Sequence, residues 1–100
     1  MEITKNIKDS ELDIQLRGRL DTSTAPQLEE EIKHSINGIK TFILDLKDLE
    51  YMSSAGLRII LSAQKTMNKQ GKLIIRNVND TIMEVFEMTG FADILSIEQS

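Results

Sequence analysis

The sequence predicts an α/β domain of the mixed type, in which a β-sheet of four to five strands carries helices packed on it. Residues 11–20 alternate between apolar and polar side chains, which is typical of a half-buried strand in an antiparallel pair. Residues 41–46 and 72–76 are nearly continuous apolar runs separated by a helical pattern. Such strand–helix–strand units form right-handed crossovers in a partly parallel sheet. The predicted order over a single domain, residues 1–100, is β-β-α-β-α-β-α-β.

The first two strands are predicted to form a hairpin. Residues 3–7 are a short strand candidate, and residues 8–10 supply Lys, Asp and Ser for a turn. In the second strand Leu12, Ile14 and Leu16 share one face, with polar residues between them. That face is therefore expected to lie on the core.

The first helix is predicted from its start and stop signals. Pro26 suits the first turn, and Thr24 followed three residues later by Gln27 matches a capping box. Asn37 and Gly38 indicate the end of the helix. Between these signals, apolar residues recur at a helical spacing: Leu28, Ile32 and Ile36.

The second half of the chain alternates strands with two further helices. A helix over residues 55–70 has a broad apolar face and is stopped by Gly71. A third helix is expected to be capped by Asn79 or Asp80. Residues 94–97 are predicted to form a last short strand.

Composition excludes several classes of function. The net charge is −4, and the basic residues are scattered among acids, which argues against binding to nucleic acid or to an anionic membrane. The absence of cysteine excludes disulfides, thiolate catalysis and cysteine-held zinc. No apolar run approaches the ~18 residues of a membrane span, and the first residues show no signal core. We expect a cytoplasmic protein that is full length or nearly so.

Catalysis has little support in the sequence. His34 is the only histidine, and a serine–histidine–acid arrangement would need it within reach of Ser53 or Ser54. Neither a Gly-x-Ser-x-Gly nor a phosphate-loop motif occurs. The acidic run at residues 29–31 is typical of a solvated helix surface. We therefore predict no enzyme activity, no metal site and no cofactor, and a small serine hydrolase is the disfavoured alternative.

The junction between the third predicted strand and the second helix is the one stretch that suggests chemistry. Two serines, an alanine and a glycine, residues 53–56, stand where the helix begins. A serine there can cap an unpaired backbone N–H group, and a helix N-terminus also favours an anion. Two interpretations therefore stay open on physical grounds: a helix cap, or a hydroxyl that takes a phosphate.

Four stretches of this chain resemble the STAS family of anti-sigma factor antagonists. The central run over residues 44–57, which ends in Tyr-Met-Ser-Ser-Ala-Gly-Leu, is similar to the signature of that family. Residues 18–21 resemble its Gly-x-Leu-Asp segment, and residues 71–73 open the next strand. Residues 86–95 resemble its C-terminal helix and strand. The similarity covers essentially the whole chain.

The resemblance implies a small cytoplasmic bacterial domain without catalysis of its own. Such proteins bind an anti-sigma factor that is also a Ser/Thr kinase, and so release the sigma factor. The kinase phosphorylates a serine at the start of the second helix, which breaks the complex, and a metal-dependent phosphatase restores it. The serine that lines up here is Ser54. In many members it follows an Asp, a position that Ser53 occupies here, and Ala55 stands where Ser or Thr is common, so Ser53 is a secondary candidate.

The expected partner surface combines a loop with the helix start. Its residues are Asp21, Thr22, Ser23 and Thr24 in the loop, and Ser53, Ser54, Ala55, Gly56, Leu57 and Arg58 at the junction, with Ile59 as a possible extension. The alternative function is a STAS adaptor or scaffold that is never phosphorylated, or one that binds a small ligand such as a nucleotide. The serine at position 53 keeps that alternative open.

Overall fold

The computed structural model describes residues 1–98 and has the predicted order of strands and helices. A 3-10 turn precedes the last strand. In chain order the elements are β1 (Glu2–Lys8), β2 (Glu11–Leu20), α1 (Ala25–Ser35), β3 (Thr41–Met52), α2 (Ser54–Asn68), β4 (Lys72–Arg76), α3 (Asp80–Met88), the 3-10 turn (Phe91–Asp93) and β5 (Ile97–Glu98).

The five strands form one mixed sheet in the order β1-β2-β3-β4-β5. β1 and β2 are antiparallel, whereas the other neighbouring strands are parallel. A helix connects each strand from β2 to β4 with the next strand, which lies beside it in the sheet. Because these connections are right-handed and all move towards β5, the helices lie on one face of the sheet. The carboxyl ends of β2, β3 and β4 consequently meet at the same edge of the sheet. No helix within residues 1–98 is long and apolar enough to cross a membrane.

The core lies between the sheet and the helices. The alternating residues of β2 are buried, as predicted, and they pack with apolar side chains from all three helices. Phe42 and Phe86 are the largest side chains that are completely buried. Apolar residues on the helix-facing side of the sheet include Leu12, Ile14, Leu16, Phe42, Leu44, Leu73 and Ile75.

The opposite face of the sheet carries no helix but is not fully polar. Ile43 and Ile74 are direct neighbours across β3 and β4, are 6% and 9% exposed, and lie outside the main cluster. Asp13 lies beside Ile43 in the register of β2 and β3. Its Oδ1 is buried and has no hydrogen-bond partner among residues 1–98. This burial, reinforced by the charge of Asp45, raises the pKa of Asp13.

The predicted capping box at the start of α1 is wrong. Thr24 precedes the helix but has helical backbone angles, and its side chain makes no capping hydrogen bond. Instead its Oγ1 donates to the carbonyl of Arg19 at 2.8 Å and accepts from the N–H of Asp21 at 2.9 Å. The hydroxyl is therefore used to close the preceding loop. The predicted helix end is confirmed, because α1 stops at Ser35 and Gly38 adopts a φ of 78°.

Other boundaries also differ from the prediction, and β3 runs to Met52 rather than ending at 46. α2 spans Ser54–Asn68, so it starts one residue before the expected 55 and ends before 70. Within the described residues, the last strand is Ile97–Glu98 rather than 94–97. Residues 94 and 95 instead donate their N–H groups to the carbonyl of Phe91, at 3.0 and 2.9 Å, which turns Leu95 into the core. The third helix starts as expected, since the Asn79 side chain accepts from the N–H of Ile82.

Gly71 is required by a close approach of two chain segments. It lies just before β4, where the N–H of Lys72 donates to the carbonyl of Lys40 at 3.0 Å. A Cβ at position 71 would overlap the same Lys40 carbonyl oxygen. Because backbone cannot move aside as a side chain can, any residue other than glycine must displace the start of β4.

We therefore expect Gly71→Ala to lower the free energy of unfolding by about 1–3 kcal/mol, the usual cost of overpacking. Urea unfolding followed by circular dichroism measures this. Lys69→Ala, on the exposed end of the same connection, serves as the control and should change stability by less than about 0.5 kcal/mol. Equal stability of the two variants would contradict the close-approach argument.

The raised pKa of Asp13 makes stability depend on pH. The pKa of Asp13 is higher in the native state than in the unfolded chain. The stability that its carboxyl contributes is therefore fully present below the unfolded pKa and is lost as the pH rises through the native pKa. Asp13→Asn should therefore raise the urea midpoint at pH 7, and the gain should shrink as the pH is lowered towards the ordinary carboxyl range. Asp48→Asn, which removes an exposed carboxylate on β3, is the control. A gain that persists unchanged at low pH would show that charge burial is not the cause.

Candidate functional site

The two predicted parts of the site emerge side by side at the carboxyl ends of β2 and β3. Leu20 is paired with Met52 in the parallel register. Beyond this pair, the N–H of Ser53 donates to the carbonyl of Leu20 at 2.9 Å. The loop over residues 21–24 and the start of α2 are thus held together by the sheet itself. The structure therefore brings together the segments that sequence reasoning had joined.

A network of hydrogen bonds around one carboxylate shapes the loop. Asp21 Oδ1 accepts from the N–H of Ser23 at 3.0 Å, from its hydroxyl at 2.7 Å, and from the N–H of Thr24 at 3.2 Å. These bonds, the Ser23 hydroxyl first, hold the pKa of Asp21 below its usual range. Asp21 is therefore a fixed negative charge at neutral pH. The exposed side chains of Thr22 and Ser23 form the outer rim of the loop.

The start of α2 is packed tightly against the end of β2 through a glycine. A Cβ at Gly56 would lie 2.5 Å from Cγ and 2.7 Å from Cδ2 of Leu20. Leu20 is fully buried, so its side chain has little room to move. Gly56 and Leu57 are themselves buried, which gives them a supporting position beneath the predicted partner surface. The small residue thus fixes how closely the helix start approaches the loop.

The two serines occupy very different positions. Ser53 precedes α2 with extended backbone angles, but its side chain does not cap the helix. Its Oγ is buried and has no hydrogen-bond partner within the described part of the chain. Ser54 is the first residue of α2 and is exposed. The expected serine cap is therefore absent, and only Ser54 presents a hydroxyl at the surface.

The surroundings of Ser54 are favourable to an added negative charge. The first turn of α2 contains no acidic residue, and its free N–H groups carry the positive end of the helix dipole. Arg58 is exposed and lies four residues further on, which places it on the same side of the helix. A phosphate on Ser54 would thus find partial and full positive charge nearby.

A shallow apolar groove next to Ser54 was not predicted. It has a volume of about 280 Å³ and is lined by Ser54, Leu57, Arg58, Leu61, Thr89 and Phe91. The last two residues follow α3 and are far from Ser54 in sequence, so only the fold brings them here. Ile59, the suggested extension of the surface, instead lines a groove between α1 and α2.

An aromatic contact forms a second unpredicted part of the rim. The guanidinium of Arg19 lies 4.3 Å from the ring centroid of Tyr51, and its Nε is 3.9 Å from a carboxylate oxygen of Asp21. Arg19 and Tyr51 are neighbours across β2 and β3. A register irregularity between Gly18 and Arg19 produces this alignment. Sequence reasoning could have found the pair only by anticipating that irregularity.

The arrangement offers no means of activating a serine. His34 lies in the last turn of α1, where its Nε2 is 3.6 Å from a carboxylate oxygen of Glu30. It makes no described contact with Ser53 or Ser54. Among residues 1–98 no cluster of three acidic or histidine side chains could hold a metal ion. Ser54 therefore stands at an exposed surface with no described histidine contact.

Comparisons with known proteins identify the family. A family model for the STAS domain matches residues 2–100. BtrV of Bordetella bronchiseptica, named as a proposed anti-sigma factor antagonist, is 35% identical over 102 residues, covering all of this chain and 88% of BtrV. The anti-sigma-B factor antagonist of Bacillus subtilis is 33% identical over 100 residues, covering 97% of this chain and 92% of that protein.

Solved structures support the same fold. SpoIIAA of Bacillus in its phosphorylated form superposes with a TM-score of 0.80 at 21% identity, covering 99% of this chain and 91% of that one. An anti-sigma factor antagonist candidate from Thermotoga maritima gives a TM-score of 0.89 at 19% identity, covering 98% and 86% of the two chains. The resemblance stated from the sequence is confirmed, and the chain belongs to the STAS domain family.

Proposed function

We propose that this protein is an anti-sigma factor antagonist whose binding to the anti-sigma factor is switched off by phosphorylation of Ser54. The names of its relatives from Bordetella and Bacillus support the antagonist role. The observation that carries the switch is the position of Ser54, which is exposed at the start of α2 beside the Asp21 loop. The family resemblance supplies the proposed partners: an anti-sigma factor of the Ser/Thr kinase type and a metal-dependent serine phosphatase, acting in a bacterial cytoplasm.

Burial favours Ser54 over Ser53 as the phosphate acceptor. A kinase must place the acceptor hydroxyl in line with the transferred phosphoryl group, which requires access to the oxygen. Ser53 Oγ is buried, and reaching it would require the start of α2 to open. Ser54 needs no such opening, because it is exposed in the resting structure.

The phosphate should act on the interface rather than on the fold. It adds about −1.5 to −2 charge, which at a helix N-terminus is stabilising by roughly 0.3–1 kcal/mol. A partner that covers Ser54 would have to desolvate this charge, and burying an unpaired charge is costly. The ionised Asp21 in the adjacent loop adds to the negative potential of the modified surface.

A specific observation keeps a second function in view. Ser53 stands where many family members have Asp, and no acidic residue lies in the first turn of α2. A kinase that recognises that carboxylate would not find it here. The alternative is a STAS adaptor or scaffold, or a nucleotide-binding module, that is never phosphorylated.

Intact-mass spectrometry after incubation with ATP and the cognate anti-sigma kinase tests the acceptor directly. We expect a gain of one phosphate in the native protein and in Ser53→Ala, and none in Ser54→Ala. The Ser53 variant is a matched control, because it removes a hydroxyl that makes no hydrogen bond in the described structure. Phosphate on Ser53 would contradict the assignment, and no gain in any of the three proteins would favour the adaptor.

Ser54→Asp tests whether a negative charge acts on binding or on folding. We expect its free energy of unfolding, measured by urea titration, to stay within about 1 kcal/mol of the native value, since the helix start tolerates an anion. Its affinity for the anti-sigma factor, measured by calorimetry, should fall at least about tenfold. Ser10→Asp, an exposed serine between β1 and β2, adds the same charge away from the site and should bind normally. Loss of the native fold in Ser54→Asp would overturn the mechanism.

A further inference from the structure

The first strand leaves one edge of the sheet open. β1 pairs with β2 on one side and is the last strand of the sheet on the other. Its outer backbone N–H and C=O groups therefore form a template to which another extended strand can bind. Six of its seven residues are exposed.

The sequence of β1 is self-complementary about its central residue, Lys5. When two copies pair antiparallel with Lys5 opposite itself, Glu2 lies opposite Lys8 and Ile3 lies opposite Ile7. In a two-fold antiparallel pair, directly opposed residues must lie on the same face of the sheet. Any shift from the register centred on Lys5 therefore leaves some residues of β1 without a partner. Only the register centred on Lys5 uses all seven residues. In this register Glu2 faces Lys8, which has the opposite charge, and Lys5 faces a second Lys5 that already has an ion-pair partner in its own chain.

On the helix-free face this register continues a charge pattern that each copy already contains. In the register of β1 and β2, Glu2 lies beside Arg17 and Lys8 lies beside Glu11. Across the pair of copies the row would read Arg17, Glu2, then Lys8 and Glu11 of the second copy. Positive and negative charges alternate throughout, which stabilises neighbouring strands. Within residues 1–98 neither Glu2 nor Lys8 forms an ion pair.

On the helix-facing side the register covers an exposed apolar residue. Ile7 is 49% exposed, which is unusual for a large aliphatic side chain in this structure. Its neighbour in β2 is Leu12, and the neighbour of Ile3 is Leu16. The row across two copies would join Leu16 and Ile3 to Ile7 and Leu12 of the second copy. Burial of apolar surface therefore adds to the charge pairs.

Lys5 is the residue that would oppose this pairing, since an edge lysine commonly prevents strand association. Here its ammonium is 2.9 Å from a carboxylate oxygen of Glu31 on α1. The charge is thus directed towards its own helix and has a partner. The two Lys5 side chains would meet as two ion pairs rather than as two free cations.

We propose that two copies of this protein associate through their β1 strands, in the register centred on Lys5, to form one continuous sheet of ten strands. The edge contains none of the residues of the candidate site, which lie at the carboxyl ends of β2 and β3 and on α2. Both sites therefore stay available in the dimer. The inference is independent of whether Ser54 is phosphorylated.

Sedimentation equilibrium of charge variants tests the register. We expect a dimer whose population rises with concentration, and at least tenfold weaker association for Glu2→Lys or Lys8→Glu alone. Association should recover to within about threefold when these two variants are mixed in equal amounts, because only their mixed dimer has opposite charges in both contacts between copies. Glu84→Lys, exposed on α3, changes the net charge by the same amount and should associate normally. A native protein that stays monomeric up to millimolar concentration, or a mixture of the two variants that associates no better than either alone, would overturn the proposal.

A cysteine placed on the two-fold axis gives a second, geometric test. The chain has no cysteine of its own, so Lys5→Cys introduces a single thiol that would lie opposite itself. Directly opposed residues are within reach of a disulfide, whereas Thr4→Cys would place its two thiols on a diagonal about 7–8 Å apart. We expect mild oxidation to cross-link Lys5→Cys at least tenfold faster than Thr4→Cys. Equal rates would show random collision and contradict the register.

Discussion

The close contact between Leu20 and Gly56 is the constraint on which the site depends. It joins the end of β2 to the first turn of α2, with the hydrogen bond from Ser53 to Leu20 beside it. The parallel pairing of β2 and β3 brings these ends together, and the missing Cβ lets them touch. Asp21 and Ser54 thereby become parts of one surface although they are separated by a helix and a strand.

Local sequence patterns predicted most of the fold because the spacing of apolar residues in each strand or helix shows which of its faces is buried. The alternation of β2 and the apolar run of β4 gave correct boundaries. Errors arose where a tertiary partner competed with a local one. Thr24 matched a capping box, yet its hydroxyl bonds to Arg19 instead. The last strand was predicted too early in the chain because Leu95, which looks like a buried strand residue, is buried in a turn instead.

The candidate site was predictable in outline and not in its chemistry. Motif resemblance pointed to Ser54 and Asp21, with Ser53 as the secondary candidate, but it did not reveal how differently the two serines are exposed. Their difference arises from the extended backbone at Ser53, which turns its hydroxyl into the protein and leaves that of Ser54 outside. The groove beside Thr89 and Phe91 and the stacking of Arg19 on Tyr51 depend on contacts between distant segments or strands. No local pattern encodes such contacts.

The placement of Ser54 at a helix N-terminus has a consequence for protein turnover. Proteases in cells act mainly on unfolded or locally opened chains, so abundance follows the free energy of unfolding. A modification that this end of α2 accepts without loss of stability would leave the lifetime of the protein unchanged. Under the proposed switch, the cell could alter how much antagonist is active while the total pool stays constant. The regulatory state would then depend on the ratio of the phosphorylated to the unphosphorylated protein, two forms with equal lifetimes.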